Sequence, residues 1–125
     1  MKIDGRADPD SLSALGAEAV RRLCSNDIDG LATRFGYALA FDRMPAVAIT
    51  EDLKSCLAEV GATSVMPALK RTPTVSYFEP NDTGLFAVIE CVVLTDSGAE
   101  LLVELIATVK QGDKHVTLEQ ISAVL

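Results

Sequence analysis

This 125-residue chain has no tryptophan, one histidine and three cysteines, and aromatic residues make up only 5% of it. Cys24, Cys56 and Cys91 are widely spaced and form no C-x-x-C pair, which argues against a zinc site or a redox motif. Because each lies in an apolar pattern, we expect buried free thiols. His115 is the single histidine available as a catalytic base or metal ligand. The sequence therefore predicts no metal and no cofactor.

Basic residues are also scarce. Eleven Lys and Arg stand against eighteen Asp and Glu, which gives a net charge of −7. Nucleic-acid binding needs clustered positive charge, and the pairs Arg21-Arg22 and Lys70-Arg71 are typical of a solvated helix face and a loop. This balance argues against a nucleic-acid partner and suits solubility or a basic protein partner.

Long hydrophobic runs are absent. The most apolar stretches, residues 85–94 and 101–109, are shorter than a membrane span, and each contains a glutamate. The polar first eight residues do not form a signal peptide. We therefore expect a soluble, cytoplasmic protein without a membrane partner. The length fits a single domain, 1–125, in which residues 1–8 are flexible.

The first half of the chain predicts helices. Asp8 is a good N-cap for a helix at Pro9–Cys24, whose apolar residues recur at helical spacing. Residues 27–42 fit either a helix with an apolar stripe or, from residue 35, a strand with alternating residues. We predict the helix because its stripe is longer than the alternating segment.

A third helix is expected to begin with Thr50 as its N-cap. Acidic residues follow in the first turn, where the helix dipole favours them, and Gly61 is a natural stop. The preceding stretch can extend this helix backwards to Pro45.

From residue 74 the pattern changes to strands. A short strand at 74–79 precedes a turn cluster, and longer strands follow at Leu85–Thr95, 99–110 and 115–124. The last three strands form a meander. The predicted fold class is therefore α+β, with about three N-terminal helices packed on a curved antiparallel β-meander of three to four strands.

Loop lengths predict the strand register. A three-residue loop after Thr95 places Glu90 opposite Glu104, and a four-residue second loop places Lys110 opposite His115. One face of the meander is then nearly all apolar and is expected to be covered by the helices. The other face is mixed, and its apolar residues are Phe86, Val88, Val92, Leu102 and Ile106.

The mixed face contains the candidate site. Like charges directly opposite each other destabilise a ladder, and such conflicts tend to mark functional sites. Glu90 and Glu104, with Glu119 nearby and His115 beside the turn, form the predicted partner-binding strip. The alternative is solvated glutamates in a register that is wrong by one residue. Alternation is lost near Gln120, which predicts a β-bulge and a curved sheet.

The order of the predicted elements resembles that of known folds. Three helices before a meander that contains Leu-Leu-Val-Glu-Leu at 101–105 and Val-Thr-Leu-Glu at 116–119 resemble the cone-shaped nuclear-transport-factor-like superfamily and cystatin-like rolls. The chain departs from the usual pattern of that superfamily, which places an early strand between the second and third helices, here the segment 35–49. Its members include isomerases, dehydratases, small-ligand binders and protein-binding modules. Size, acidity and meander are also similar in type to bacterial immunity proteins, which neutralise a toxin encoded beside them.

Two functions follow as hypotheses. The first is a non-enzymatic immunity protein whose strip of three glutamates and a histidine binds a basic toxin. The second, implied by the cone-fold resemblance, is a small-molecule binder, isomerase or dehydratase. In it Glu90 or Glu104 would act as a base in an apolar pocket, with Tyr37 or Tyr77 polarising the substrate. A homodimer through the mixed face is compatible with both.

Overall fold

The computed structural model describes residues 1–3, 7–69 and 71–124. Its elements are β1 Lys2–Ile3, α1 Pro9–Cys24, α2 Ile28–Phe35, a 3-10 turn Ala38–Ala40, α3 Pro45–Glu59, β2 Val65–Leu69, β3 Thr74–Tyr77, β4 Leu85–Thr95, β5 Glu100–Lys110 and β6 Asp113–Val124. The strands form one antiparallel sheet in the order β1-β6-β5-β4-β2, and β3 also pairs with β4. The α+β class is confirmed, although the sheet has six strands rather than three or four.

The first two helices begin at side-chain caps. The carboxylate of Asp8 accepts a backbone hydrogen bond of 2.8 Å from the first turn of α1, and that of Asp27 accepts one of 3.1 Å from α2. The second helix ends at Phe35, so the prediction of a helix to residue 42 was wrong. Gly36 has a φ of 71° and caps the helix end. A 3-10 turn follows, and residues 35–49 contain no strand.

The third helix begins at Pro45, five residues before the predicted N-cap. Met44 is the capping residue, and the fixed φ of the proline suits the first helical position. Thr50 therefore lies inside α3, where its hydroxyl donates to the carbonyl of Ala46 at 3.0 Å. The predicted stop is confirmed, since Gly61 follows the helix with a φ of 67°.

The first long hairpin has the predicted register, with Glu90 paired to Glu104. The second hairpin differs, because Lys110 pairs with Asp113 instead of the residue two positions later. Its loop is residues 111–112, which have φ values of 53° and 84°. Positive φ at both positions defines a type I′ turn, whose twist suits a two-residue hairpin loop. Because the register moved by two residues, side chains keep their predicted faces.

Both β4 and β6 are locally irregular. Glu119 is an extra residue between the pairs made by Leu118 and Gln120, which confirms the predicted bulge. A second irregularity lies at the start of β4. Phe86 there packs against the hydrophobic core, so its predicted place among the apolar residues of the mixed face was wrong.

Two strands, β1 and β2, were not predicted from the sequence. Met1 donates its amino group to the carbonyl of Val116 at 2.9 Å, and Lys2–Ile3 pairs with β6. Part of the start that was expected to be flexible is thus tied to the sheet, while residues 4–6, like Lys70 of the predicted basic pair, lie outside the described ranges. The sequence did not predict β2 because Pro67, in the middle of this strand, is a residue that strands usually exclude.

The helices cover one face of the sheet. Alternate residues of β4–β6, among them Ile89 and Cys91, are fully buried in the core with the helical stripes. A Cβ atom at Gly16 would lie 2.8 Å from Ile89 Cγ2 and 2.9 Å from Cys91 Sγ, so α1 lies directly on β4. The other face is mostly only partly covered. We call it the open face, and its central residues are Val88, Glu90, Val92, Leu102, Glu104, Ile106 and Gln120.

Candidate functional site

A polar row crosses the open face. Thr74, Glu90, Glu104 and Gln120 occupy successive paired positions on β3, β4, β5 and β6. Directly paired residues have Cβ atoms about 4.5–5.5 Å apart, so the two carboxylates are close neighbours. Gln120 Nε2 donates to Glu104 Oε1 at 2.6 Å. Within the described ranges, no hydrogen bond or ion pair engages the Glu90 carboxylate.

The structure brings Glu119 beside this row but not His115. Glu119 is the bulge residue that precedes the last member of the row. His115 pairs with Thr108 of β5 and Lys2 of β1, four residues along β5 from the row. At about 3.3 Å per residue this is about 13 Å. The predicted strip therefore divides into a carboxylate end and a far end, where His115 lies with Lys2, Lys110 and Asp113, whose carboxylate contacts Lys2 Nζ at 3.5 Å.

Apolar side chains flank the polar row on both sides. The pairs Val92–Leu102 and Val88–Ile106 lie two residues away in opposite directions along the strands. Val92 is only 6% exposed although it lies outside the helix-covered core. Val88, Leu102 and Ile106 are partly exposed, so the carboxylate pair lies in a mixed and partly covered face.

Neither tyrosine joins the glutamates. The Tyr37 hydroxyl donates to Asp52 Oδ2 at 2.6 Å within the helix-covered side of the molecule. The Tyr77 hydroxyl donates to the carbonyl of Ala7 at 2.7 Å. The tyrosine and glutamate pair that the isomerase hypothesis requires is therefore not assembled on the open face.

Asp52 is the centre of a cluster that the sequence did not reveal. Besides Tyr37, it accepts hydrogen bonds from Arg43 Nη1 at 2.9 Å and Nη2 at 3.3 Å. Arg43 also donates to the carbonyls of Leu39 at 2.7 Å and Ala40 at 3.1 Å. The cluster ties the 3-10 turn to α3. These residues match no motif, and only the turn between them makes them neighbours.

The pKa values in this cluster favour a structural role. Arg43, with the Tyr37 hydroxyl, lowers the pKa of the Asp52 carboxyl. Burial, together with the hydrogen bond to Asp52, raises the pKa of Tyr37 far above its ordinary value. Each group therefore keeps one protonation state around neutral pH, whereas general acid–base catalysis needs a pKa near the working pH.

Two of the three thiols have the buried environment that their apolar patterns predicted. Cys56 and Cys91 are buried, Cys24 is half-buried, and all three are free. Burial raises the pKa of the Cys91 thiol to about 12 and also raises that of Cys56. Because the thiolate is the nucleophile, these buried groups are poorly reactive. Cys56 instead donates to the carbonyl of Ile121 at 3.3 Å, which helps to cover the edge of β6.

Other site geometries are not formed by the described residues. Among them, no group of three or more His, Cys, Asp or Glu could hold a metal ion. A groove between α2 and α3 is lined in part by Asp29, Val47 and Glu51, and a depression beside α1 is lined in part by residues 71–73. Both contain none of the predicted site residues. No helix in the described part is long and apolar enough to cross a membrane.

No protein-family model, curated protein or solved structure matches this chain. The resemblance to the cone-fold superfamily therefore stays a prediction. We therefore infer the function from the residues of the chain and their geometry.

Proposed function

We propose that this chain is a non-enzymatic protein-binding protein whose open face binds a basic surface of another protein. The observation that carries this proposal is the pairing of Glu90 with Glu104 on a partly apolar sheet face. Like charges directly opposite each other destabilise the isolated chain. A lysine or arginine of the partner placed between the carboxylates would relieve that repulsion, while the flanking apolar side chains supply buried area.

The specific form that we propose is a cytoplasmic bacterial immunity protein, which neutralises a toxin encoded beside it. The net charge of −7 and the small size support this form. An acidic surface steers a cationic partner and speeds association. Inhibition would follow from covering the active site or the substrate-binding surface of the toxin.

A second copy of the chain is the alternative occupant of the open face. In a two-fold pairing, Lys110 at the far end could approach Glu90 and Glu104 of the copy, while Lys2 is already paired with Asp113. The net charge of −7 opposes such self-association, which is why we favour a basic partner.

The small-molecule or isomerase hypothesis has weaker support. Tyr37 and Tyr77 are engaged away from the glutamates. At Gly16, α1 lies directly on β4, so this part of the space between the helices and the sheet is filled.

Charge reversal on the open face is expected to weaken partner binding. The partner is first captured from the native host with the tagged chain, identified by mass spectrometry and purified. The double variant Glu90→Lys/Glu104→Lys should then bind at least about ten-fold more weakly, which corresponds to about 1.4 kcal/mol. Calorimetry at low and high salt should show weaker binding at high salt for the unaltered chain.

The double variant Glu59→Lys/Glu79→Lys is the matched control. It changes the net charge equally at two exposed positions, on α3 and after β3. If both double variants lose affinity equally, net charge alone explains the loss, and the open face is not the binding site. Recovery of the chain alone, as a dimer in light scattering, would favour self-association instead.

A further inference from the structure

The loop before α3 exposes an aromatic side chain to solvent. The side chain of Phe41 is 81% exposed, and those of Met44 and Val47 are 72% and 50% exposed. Met44 is the capping residue of α3 and Val47 lies in its first turn, so all three side chains belong to one short segment of chain. Among the side chains whose exposure the structure describes, these three, which we call the Phe41 patch, are the most exposed large apolar ones.

The backbone at Phe41 adopts a conformation that suits glycine. Its φ is 54° and its ψ is −120°, and the amide of Arg43 donates to the carbonyl of Ala40 at 3.0 Å. These values place Phe41 at the first central position of a type II′ turn, where glycine dominates. A bulky residue there is strained, and such strain persists only where surrounding contacts impose it.

The Asp52 cluster imposes this turn. Arg43 donates to the carbonyls of Leu39 and Ala40, and Asp52 holds its guanidinium at 2.9 Å. Ala40 is buried in the core, so the chain is anchored on both sides of Phe41 while the ring itself stays outside. Because the backbone at Phe41 is already held, only the side-chain torsions lose conformational entropy when a partner covers the ring.

Carboxylates lie beside parts of the patch. Asp42 is adjacent in the chain and exposed, and Asp29 and Glu51 line the groove between α2 and α3 that Val47 also lines. The charge of Arg43 is shared between Asp52 at 2.9 Å and Glu51 at 3.6 Å. The next cation along α3 is Lys54, close to one turn beyond Glu51. A partner that covers the ring therefore meets an acidic rim.

We infer that the Phe41 patch is a second docking site, at which the ring enters an apolar pocket rimmed by Lys or Arg on a protein partner. A second copy of the chain is a poor occupant, because its own patch is acidic and its net charge is −7. The site is independent of the open face, since the 3-10 turn and α3 contribute to the core on the helix-covered side.

The test places the photo-crosslinker p-benzoylphenylalanine at position 41 in the native host. Phe78, which is 45% exposed just after β3, is the matched control position. We expect one dominant adduct at 41 that is absent at 78. The crosslinked protein is then purified, and Phe41→Ala should weaken its affinity at least about ten-fold, with Phe78→Ala close to unaltered and binding weaker at high salt.

The variant Phe41→Gly separates docking from folding. Glycine accepts the turn conformation, so this variant should melt at or above the temperature of the unaltered chain while losing affinity to the same extent as Phe41→Ala. An adduct at twice the mass of the chain, a partner without a basic surface, no dominant adduct, or undiminished binding by Phe41→Gly would each overturn the inference. The proposal for the open face would stand after any of these, because it is tested by Glu90 and Glu104.

Discussion

Replacing Gly16 by valine is expected to lower the free energy of unfolding by about 3 kcal/mol. Even the first added carbon would lie 2.8 Å from Ile89 Cγ2, 2.9 Å from Cys91 Sγ and 3.4 Å from Pro73 Cβ. Ile89 is branched next to its backbone and fully buried, so it cannot move aside without shifting β4. The gain in helix propensity on replacing glycine is a few tenths of a kcal/mol, too small to offset this overpacking.

Ala14→Val is the matched control for Gly16→Val. It adds a β-branched side chain to the same helix at an exposed position, where the cost is at most about 0.7 kcal/mol of helix propensity. Urea denaturation followed by circular dichroism measures both variants. Similar losses at the two positions would mean that α1 does not approach β4 at Gly16 as closely as the structure describes.

Replacing Asp52 by alanine is also expected to cost about 2 kcal/mol of stability at neutral pH, mainly through the buried Tyr37 hydroxyl. The change leaves the buried hydroxyl of Tyr37 without its acceptor and leaves the guanidinium of Arg43 without the carboxylate that holds it. Glu51→Ala is the control, because Glu51 contacts the same arginine at 3.6 Å from an exposed position. An exposed pair of this kind contributes less than about 1 kcal/mol.

The effect of Asp52→Ala should depend on pH. Since Arg43 lowers the pKa of the Asp52 carboxyl, its contribution is complete above the ordinary value of 3.8 and is lost as the pH falls through the lower folded value. The difference in unfolding free energy between the unaltered chain and Asp52→Ala should therefore shrink as the pH falls below about 4. A difference that stays constant between neutral and acid pH would show that the carboxylate charge contributes little.

The Asp52 cluster also connects stability to the Phe41 patch. Without Asp52 the guanidinium of Arg43 is no longer held beside the carbonyls that bound the turn. The strained conformation of Phe41 would then have fewer contacts to maintain it. The turn at Phe41 and the Asp52 cluster form one structural unit. Asp52→Ala is therefore expected to lower stability, whereas Phe41→Gly is expected to lower partner affinity without lowering stability.

The carboxylate pair was predictable because it depends on one short loop. The loop after Thr95 and the alternation of two long strands bring Glu90 and Glu104 together within 14 residues of chain. The second hairpin was misassigned by two residues, since both its loop residues adopt positive φ without forming a sequence pattern as strong as Asn-Gly. Because side chains alternate between the two sheet faces with a period of two, this error left each side chain on its predicted face.

Residue identity and near neighbours determined the caps of α1 and α2, the alternation of β4–β6, the acidic surface and the glutamate pair. The end of α2 and the pairing of β1 and β2 were decided by tertiary structure. The Asp52 cluster belongs to this second group, because Tyr37 lies 15 residues from Asp52 and Arg43 lies nine. Caps, turns and strand alternation act over a few residues and leave a pattern in the sequence. Contacts that a turn and a packed core create between distant residues leave none.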